Sequence, residues 1–226
     1  MDRLQGIKDD VTKWSGLPAE LISDLIDRKY DGLEYKIFNL LDLKSKENLH
    51  WYYRTSPLYV FQTIAHPAWP LLDQIEKGPV LDYGGGCGNN LFWLLDNGFE
   101  VDYFDIGYTC VDYVKWKIKH KGYSDFKCNI IEPFYGAHFD LISCLHGRLY
   151  GTVIFQSVLE HIHDYESLII KAINSLYYEG LIFEEAPFGE GGSSYHLKEK
   201  KSISQIMLCH GMVNVKKGIW RKKKGD

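Results

Sequence analysis

The sequence has no stretch that approaches the roughly 18 consecutive apolar residues of a membrane-spanning helix. Its first ten residues mix acidic, basic and apolar side chains and contain no apolar core of a secretory signal peptide. These absences argue against a membrane partner. They predict a soluble protein of the cytoplasm.

Paired cysteines are also missing. The five cysteines are an odd number, and no two of them form a Cys-x-x-Cys pair. We therefore expect reduced thiols and no disulfide framework; the residues are Cys87, Cys110, Cys128, Cys144 and Cys209.

The chain has no excess of positive charge: 26 Lys and Arg stand against 30 Asp and Glu, which gives a net charge of −4. Proteins that bind nucleic acid usually carry a basic field, so this balance disfavours nucleic acid as a partner. Six of the last eleven residues are basic. We interpret that tail as a solvated strand edge.

Glycine is concentrated in one place, where it carries the main functional signal. The segment from Val80 to Ile106 reads VLDYGGGCGNNLFWLLDNGFEVDYFDI. An apolar run ends in Asp82, a glycine loop and an amphipathic stretch follow, and a second apolar run ends in Asp105. This order predicts a strand, a loop, a helix and a second strand, with a ligand at the carboxyl end of the first strand.

The dinucleotide fingerprint G-x-G-x-x-G is incomplete, because Asn89 and Leu91 stand where the third glycine would fall. A pyrophosphate would also be repelled by the carboxylate of Asp82. A nicotinamide-dependent oxidoreductase is therefore kept only as an alternative.

The run from Asp82 to Asn90, followed by Asp105, resembles the D-x-G-x-G-x-G motif and second-strand acidic residue of class I S-adenosylmethionine-dependent methyltransferases. The resemblance implies an α/β fold with a Rossmann-like seven-stranded sheet and helices on both faces. It also implies S-adenosyl-L-methionine as cofactor, with the loop on its methionine part, Asp105 on its ribose and Glu132 by its adenine. The implied cofactor-binding residues are Asp82, Tyr83, Gly84, Gly86, Gly88, Asn90, Asp105, Ile106, Glu132 and Gln156.

A length of 226 residues suits one α/β domain with an extension. We predict a helical extension over residues 1–77 that covers the active site, and a methyltransferase domain over 78–226. Residues 1–16 are polar and expected to fray. Helices are predicted from Leu17, around Leu33 to Leu41, and from 58 to 65. Five side chains either line the substrate pocket or pack the extension onto the core: Tyr52, Tyr53, Arg54, Tyr59 and His66.

The fourth strand has two candidate positions. Phe139 to Leu145 begins like that strand, and an insertion near the active-site rim would then follow, with His146, Arg148 and Gly151; alternatively, Thr152 to Gln156 forms the strand. We favour the insertion. The remaining predictions are a third strand over 126–131, a helix over 165–178 capped by Asp164, a fifth strand over 181–183, a helix over 195–209 and a terminal hairpin.

Methyl transfer needs a base only when the acceptor must lose a proton. We predict His161 as the catalytic residue, with Glu160, His163 and His196 as weaker candidates. Some related methyltransferases have Glu-x-x-Glu-His here and bind a divalent ion, but Ser157 replaces the first Glu, and a serine hydroxyl is a poor ligand. No metal is predicted, although binding through Glu160, His161 and His196 is left open.

The combined prediction is a cytoplasmic methyltransferase that acts on a small-molecule acceptor, at oxygen, in a sugar or secondary-metabolite pathway. The alternatives are the oxidoreductase and a non-catalytic S-adenosylmethionine-binding protein. The oligomeric state is left open, with a homodimer as one option.

Overall fold

The computed structural model describes residues 2–27, 52, 54, 56, 59–123, 127–131, 147–188, 196–199 and 201–224, with the backbone alone at 59 and 62. Its strands are β1 (Val80–Tyr83), β2 (Val101–Phe104), β3 (Cys128–Ile131), β4 (Tyr150–Gln156), β5 (Leu176–Glu185), β6 (Met212–Lys216) and β7 (Ile219–Lys222). They form one sheet in the order β3-β2-β1-β4-β5-β7-β6. Strands β1 to β5 are parallel, and β7 runs antiparallel to both β5 and β6. The predicted seven-stranded α/β sheet is confirmed.

Helices cover both faces of this sheet. They are α1 (Arg3–Ser15), α2 (Ala19–Asp27), α3 (Tyr59–Thr63), α4 (Asn89–Asp96), α5 (Tyr108–Lys121), α6 (Tyr165–Asn174) and α7 (Ile203–Cys209). Successive strand residues point to opposite faces, so each strand contributes to two cores. Val80 and Ile154 pack in the core that contains α1 to α5, whereas Leu81 and Phe155 pack in the core with α6 and α7.

The amino-terminal residues form helix α1, so the expectation that they fray is wrong. The side chain of Asp2 caps the first turn, and Ile7 and Val11 are buried. The Trp14 ring meets the Tyr113 ring of α5 edge to face, with centroids 5.3 Å apart. The few apolar residues of this polar segment recur at helical spacing, which is enough to dock one face on the domain.

Strand β4 comprises Tyr150–Gln156. The favoured insertion at the active-site rim is therefore wrong, and the alternative strand over 152–156 is confirmed. Thr152 pairs with Val80 of β1, and the Thr152 hydroxyl donates to the carbonyl of Lys77 at 2.9 Å. Gly151 lies inside the strand, where a Cβ would come within 2.7 Å of the Lys77 carbonyl oxygen.

Arg148 lies before the amino end of β4, at the opposite edge of the sheet from the glycine loop. Its guanidinium donates to the buried carboxylate of Asp102 at 2.7 Å and also pairs with Glu100. The Tyr150 hydroxyl donates to the other oxygen of Asp102 at 2.7 Å. The segment that was assigned to the active-site rim thus neutralises a buried charge in β2.

Replacing Arg148 by alanine is expected to lower the free energy of unfolding by about 2 kcal/mol, because it leaves the Asp102 carboxylate buried without a counter-charge. Because Arg148 is partly exposed, the loss should fall below the range of about 3–5 kcal/mol for fully buried pairs. Urea denaturation measures the change. Glu100→Gln is the matched control: it removes the exposed partner alone and should cost less than about 1 kcal/mol. Equal effects of the two substitutions would contradict this account.

Two other element boundaries differ from the predicted ones. Helix α6 ends at Asn174 and β5 begins at Leu176, so Gly180 lies within a strand instead of ending a helix. Residues 196–199 are not helical, and α7 begins at Ile203. The Asp164 cap is confirmed, since its side chain accepts from the Ser167 amide. The helix predicted over Leu33 to Leu41 lies outside the described residues.

In the described part of the chain, every helix is too short or too polar to cross a membrane.

Candidate active site

The glycine loop joins β1 to α4 and is tied to the end of β2. The amides of Gly84 and Gly85 both donate to the Phe104 carbonyl, at 2.7 and 3.1 Å. Gly84 has φ 73°, and a Cβ on it would lie 2.4 Å from Cγ2 of Val158. Glycine at this position therefore allows the turn after β4 to pack against the loop.

Asp105 holds the far side of the loop. One carboxylate oxygen accepts from the Gly86 amide at 2.8 Å, and the other accepts from the Gly107 amide at 2.6 Å. Burial raises the pKa of Asp105 to about 6, although these two hydrogen bonds favour the charged form. Asp105 thus shapes the loop, and its contact with a ribose remains a prediction.

Asp82 has a buried carboxylate oxygen beside the glycine loop. The residue is 1% exposed, and Oδ2 accepts no hydrogen bond within the described part of the chain. Burial raises the pKa of Asp82 to about 7; a hydrogen bond from Asn90 opposes this rise, and the charge of Asp105 adds to it. A cation placed here would favour the ionised carboxylate.

Asn90 connects the loop to two other parts of the fold. Its side-chain oxygen accepts from the Trp69 amide at 2.9 Å, and its side-chain nitrogen donates to Gln156 Oε1 at 3.0 Å. The neighbouring Asn89 donates to the Thr63 carbonyl at 3.0 Å. The first turn of α4 therefore joins the extension to the end of β4.

A cleft opens between the extension and the glycine loop. Gly86 faces open space, because no heavy atom lies within 4 Å of a Cβ built there. The extension supplies one wall, and the loop with the end of β4 supplies the other. The lining residues are Thr63, His66, Pro67, Gly84, Gly85, Gly86, Cys87, Asn89, Asn90, Gln156 and Ser157.

The other predicted cofactor residues lie around this cleft at different depths. Tyr83 is 1% exposed and packs against Phe104 and Phe155, so its side chain is not available to a ligand. Gly88 caps α4 with φ 76°. Ile106 is half-buried after the end of β2. Glu132 lies outside the described residues.

The structure describes the side chains of three of the five pocket candidates from the extension. Tyr52 is buried in the core, and His66 is exposed at the cleft. Arg54 donates to the Tyr108 hydroxyl, and its guanidinium lies 4.7 Å from the centre of that ring, at the start of α5. Tyr53 and the side chain of Tyr59 lie outside the described structure.

Sequence reasoning missed Tyr103. Its hydroxyl donates to the Gly86 carbonyl at 2.5 Å. This hydrogen bond from β2 fixes the position of Gly86 in the loop. The available signal is its position two residues before Asp105, on the face of β2 that points toward the loop's helix.

A second group of candidate side chains lies beyond the carboxyl end of β4: Glu160, His161 and His196. Glu160 and His161 belong to a short 3₁₀ helix, Leu159–His161. The rings of His161 and His196 are 5.2 Å apart between centroids. Glu160 is fully buried; this burial, together with the charge of Glu185, raises its pKa to about 7.

The fold has many counterparts among solved structures. An O-methyltransferase family protein from Burkholderia thailandensis matches 85% of this chain with a TM-score of 0.53 and 13% identity. A SAM-dependent methyltransferase from Methanosarcina mazei matches 71% of this chain, and all of its own, with a TM-score of 0.51 and 15% identity. The YcgJ protein from Bacillus subtilis matches 63% of this chain with a TM-score of 0.51 and 14% identity.

The fold is that of the class I methyltransferases. The chain spans 64% of the Burkholderia protein, 66% of the Bacillus protein and about half of some other matched structures. No protein-family model matches the sequence, and no curated protein matches it significantly.

Proposed function

We propose that this chain is an S-adenosylmethionine-dependent methyltransferase whose acceptor is the hydroxyl group of a small molecule in a sugar or secondary-metabolite pathway. The observation that carries the proposal is the buried Asp82 oxygen, which has no hydrogen-bond partner in the described part of the chain and lies beside the glycine loop with its open backbone at Gly86. A site for a dinucleotide pyrophosphate would not place a carboxylate there. A cofactor with a cationic amino group fits it.

Different residues in and around the cleft bind different parts of this cofactor. Asp82 attracts the amino group, and the loop offers open backbone at Gly86, whereas Val158 packs on Gly84 and the Tyr103 ring on Gly85. Asp105 and Ile106, at the end of β2, face the ribose. The shape of this cofactor site is maintained by four further residues: Tyr83, Gly88, Asn90 and Gln156. Glu132 is the predicted contact of the adenine. When bound, the cofactor supplies a methyl group on a positively charged sulfur.

The acceptor lies between the cleft and the group formed by Glu160, His161 and His196. His161 takes the hydroxyl proton, which passes from the acceptor oxygen to an imidazole nitrogen as the oxygen gains the methyl group. The extension predicted over residues 1–77 would cover this space, and Thr63 and Pro67 of its described part line the cleft. An aligned, dry pocket supplies most of the rate enhancement for such a displacement.

Thermal unfolding with S-adenosylhomocysteine, S-adenosylmethionine or NAD tests the cofactor class without a known acceptor. A ligand at 100 times its Kd adds about 2.7 kcal/mol to the folded state. The two sulfur compounds are expected to raise the unfolding temperature, and NAD is not. Stabilisation by NAD alone, or by none of the three, would contradict the proposal.

Asp105→Asn is the matched variant in this experiment. It keeps an oxygen for one loop amide but removes the carboxylate that the ribose contact needs, so the affinity for S-adenosylhomocysteine should fall at least tenfold. Circular dichroism checks that the variant remains folded. An unchanged affinity would remove the ribose assignment.

A further inference from the structure

Three potential metal-ligand side chains converge beyond the carboxyl ends of β4 and β5. One carboxylate oxygen of Glu160 and one nitrogen each of His161 and His196 all lie within 4.8 Å of one another. The Leu197 amide donates to the Glu160 carbonyl at 2.8 Å. This backbone bond fixes the segment after β5 against the 3₁₀ helix, so the group is part of the fold and does not depend on long exposed side chains.

The carboxylate of Glu160 lacks the partners that its burial requires. Its side chain is 0% exposed, and neither of its oxygens accepts a hydrogen bond within the described ranges. His161 Nε2 is 3.7 Å from Glu160 Oε1, beyond hydrogen-bond distance. Nδ1 of His196 is also buried and unpartnered in the described structure. Buried carboxylates are normally paired, hydrogen-bonded or bound to a metal ion.

The donor types select a class of ion. Two imidazoles and one carboxylate suit zinc and related divalent transition metals, whereas magnesium and calcium prefer oxygen ligands alone. With bonds of about 2.1 Å, two ligand atoms of a tetrahedral site lie about 3.4 Å apart. Glu160 Oε1 and His161 Nε2 are already 3.7 Å apart. All three ligand atoms lie within 4.8 Å of one another, so metal binding must draw the more distant ones together by at most about 1.4 Å.

We propose that Glu160, His161 and His196 bind one divalent transition-metal ion of the zinc type. The sequence argument against a metal rested on Ser157, and it left open the set of Glu160, His161 and His196 that the structure brings together. Three protein ligands leave a coordination position open, as in zinc sites that bind water or a substrate oxygen. This proposal goes beyond the proposed function and does not depend on it, because metal binding is measured without cofactor or acceptor. A nitrogen of His161 bound to the ion would not serve as the base.

Cobalt titration of the metal-free full chain tests the site. Cobalt(II) with nitrogen and oxygen ligands in a low-coordinate site gives intense visible absorption, and zinc, which is colourless, displaces it. We expect saturation at one equivalent and loss of the bands on addition of zinc. Glu160→Gln and His196→Ala should each weaken binding at least tenfold. His163→Ala, a histidine two positions after His161, is the matched control and should bind as the natural sequence does.

The stability of the same proteins separates loss of ligands from loss of folding. Glu160→Gln removes a buried charge, so the metal-free variant should unfold at or above the temperature of the metal-free natural chain. Zinc should raise the unfolding temperature of the natural chain and of His163→Ala, but not that of Glu160→Gln. Failure of the natural chain to bind cobalt at one equivalent, or equal binding by all four proteins, would overturn the site. Neither result would affect the cofactor test.

Discussion

Replacing Gly84 by alanine is expected to lower the free energy of unfolding by about 2–5 kcal/mol, since two costs add at this position. The backbone has φ 73°, a conformation that costs an alanine about 1–2 kcal/mol. The new Cβ would also lie 2.4 Å from Cγ2 and 3.1 Å from Cγ1 of Val158. Overpacking of this kind costs about 1–3 kcal/mol. Urea denaturation measures the sum.

Gly86→Ala separates the two costs. Gly86 has φ 53° but meets no heavy atom within 4 Å, so alanine there should cost about 1–2 kcal/mol from the backbone alone. Adding Val158→Ala to Gly84→Ala should relieve the steric clash but not the backbone strain. A double-mutant cycle of these two substitutions therefore separates the two contributions to the free energy of unfolding. If Gly84→Ala costs no more than Gly86→Ala, then Val158 does not pack against the loop as described.

The glycine loop could be predicted from sequence because its determinants are local. Asp82, Gly84 and Asp105 lie within one strand, loop, helix and strand unit, and each residue type is required by the backbone or by the charge at its own position. The same local logic predicted the Asp164 cap. What it could not supply was the partner of each side chain.

The fourth strand could not be chosen from sequence because two apolar segments compete for it. The choice depends on contacts with distant residues. Thr152 pairs with Val80, Gly151 passes closely over the Lys77 carbonyl, and Arg148 neutralises Asp102 in β2. Apolar periodicity carries none of this information, and a charged residue before a strand indicates a loop as readily as a buried ion pair.

The candidate site shows the same limit. Asn90 and Gln156 were each assigned to the cofactor, yet they are 66 residues apart and hydrogen-bonded to one another. Glu160, His161 and His196 were weighed as bases and, with no evidence of their distances, as a possible metal site; the 2.8 Å bond from Leu197 to Glu160 brings them together. Sequence named candidate residues, whereas the backbone pairing determined which of them lie close to one another.

Asp82→Asn is expected to stabilise the protein without ligand and to weaken cofactor binding. Burial raises the pKa of Asp82 from 3.8 to about 7. The folded state therefore holds this proton more tightly than the unfolded state, so the stability that Asp82 contributes is present below pH of about 4 and is lost as the pH rises to about 7. At pH 8 the uncharged asparagine should raise the free energy of unfolding by on the order of 2 kcal/mol.

The test compares the two proteins over the same pH range, because Asp105 and Glu160 also titrate there. The contribution of Glu160 cancels in the difference, whereas the difference includes the charge interaction between Asp82 and Asp105. The difference in unfolding free energy should be small near pH 4 and should grow toward pH 8. The cationic amino group of S-adenosylhomocysteine favours the ionised carboxylate, so its affinity for the natural chain should rise from pH 6 to pH 8. The variant should bind at least tenfold more weakly at pH 8 and with a flatter pH profile. If the difference in stability is independent of pH, the charge of Asp82 is already compensated in the free protein, and the carboxylate is not reserved for a cationic ligand.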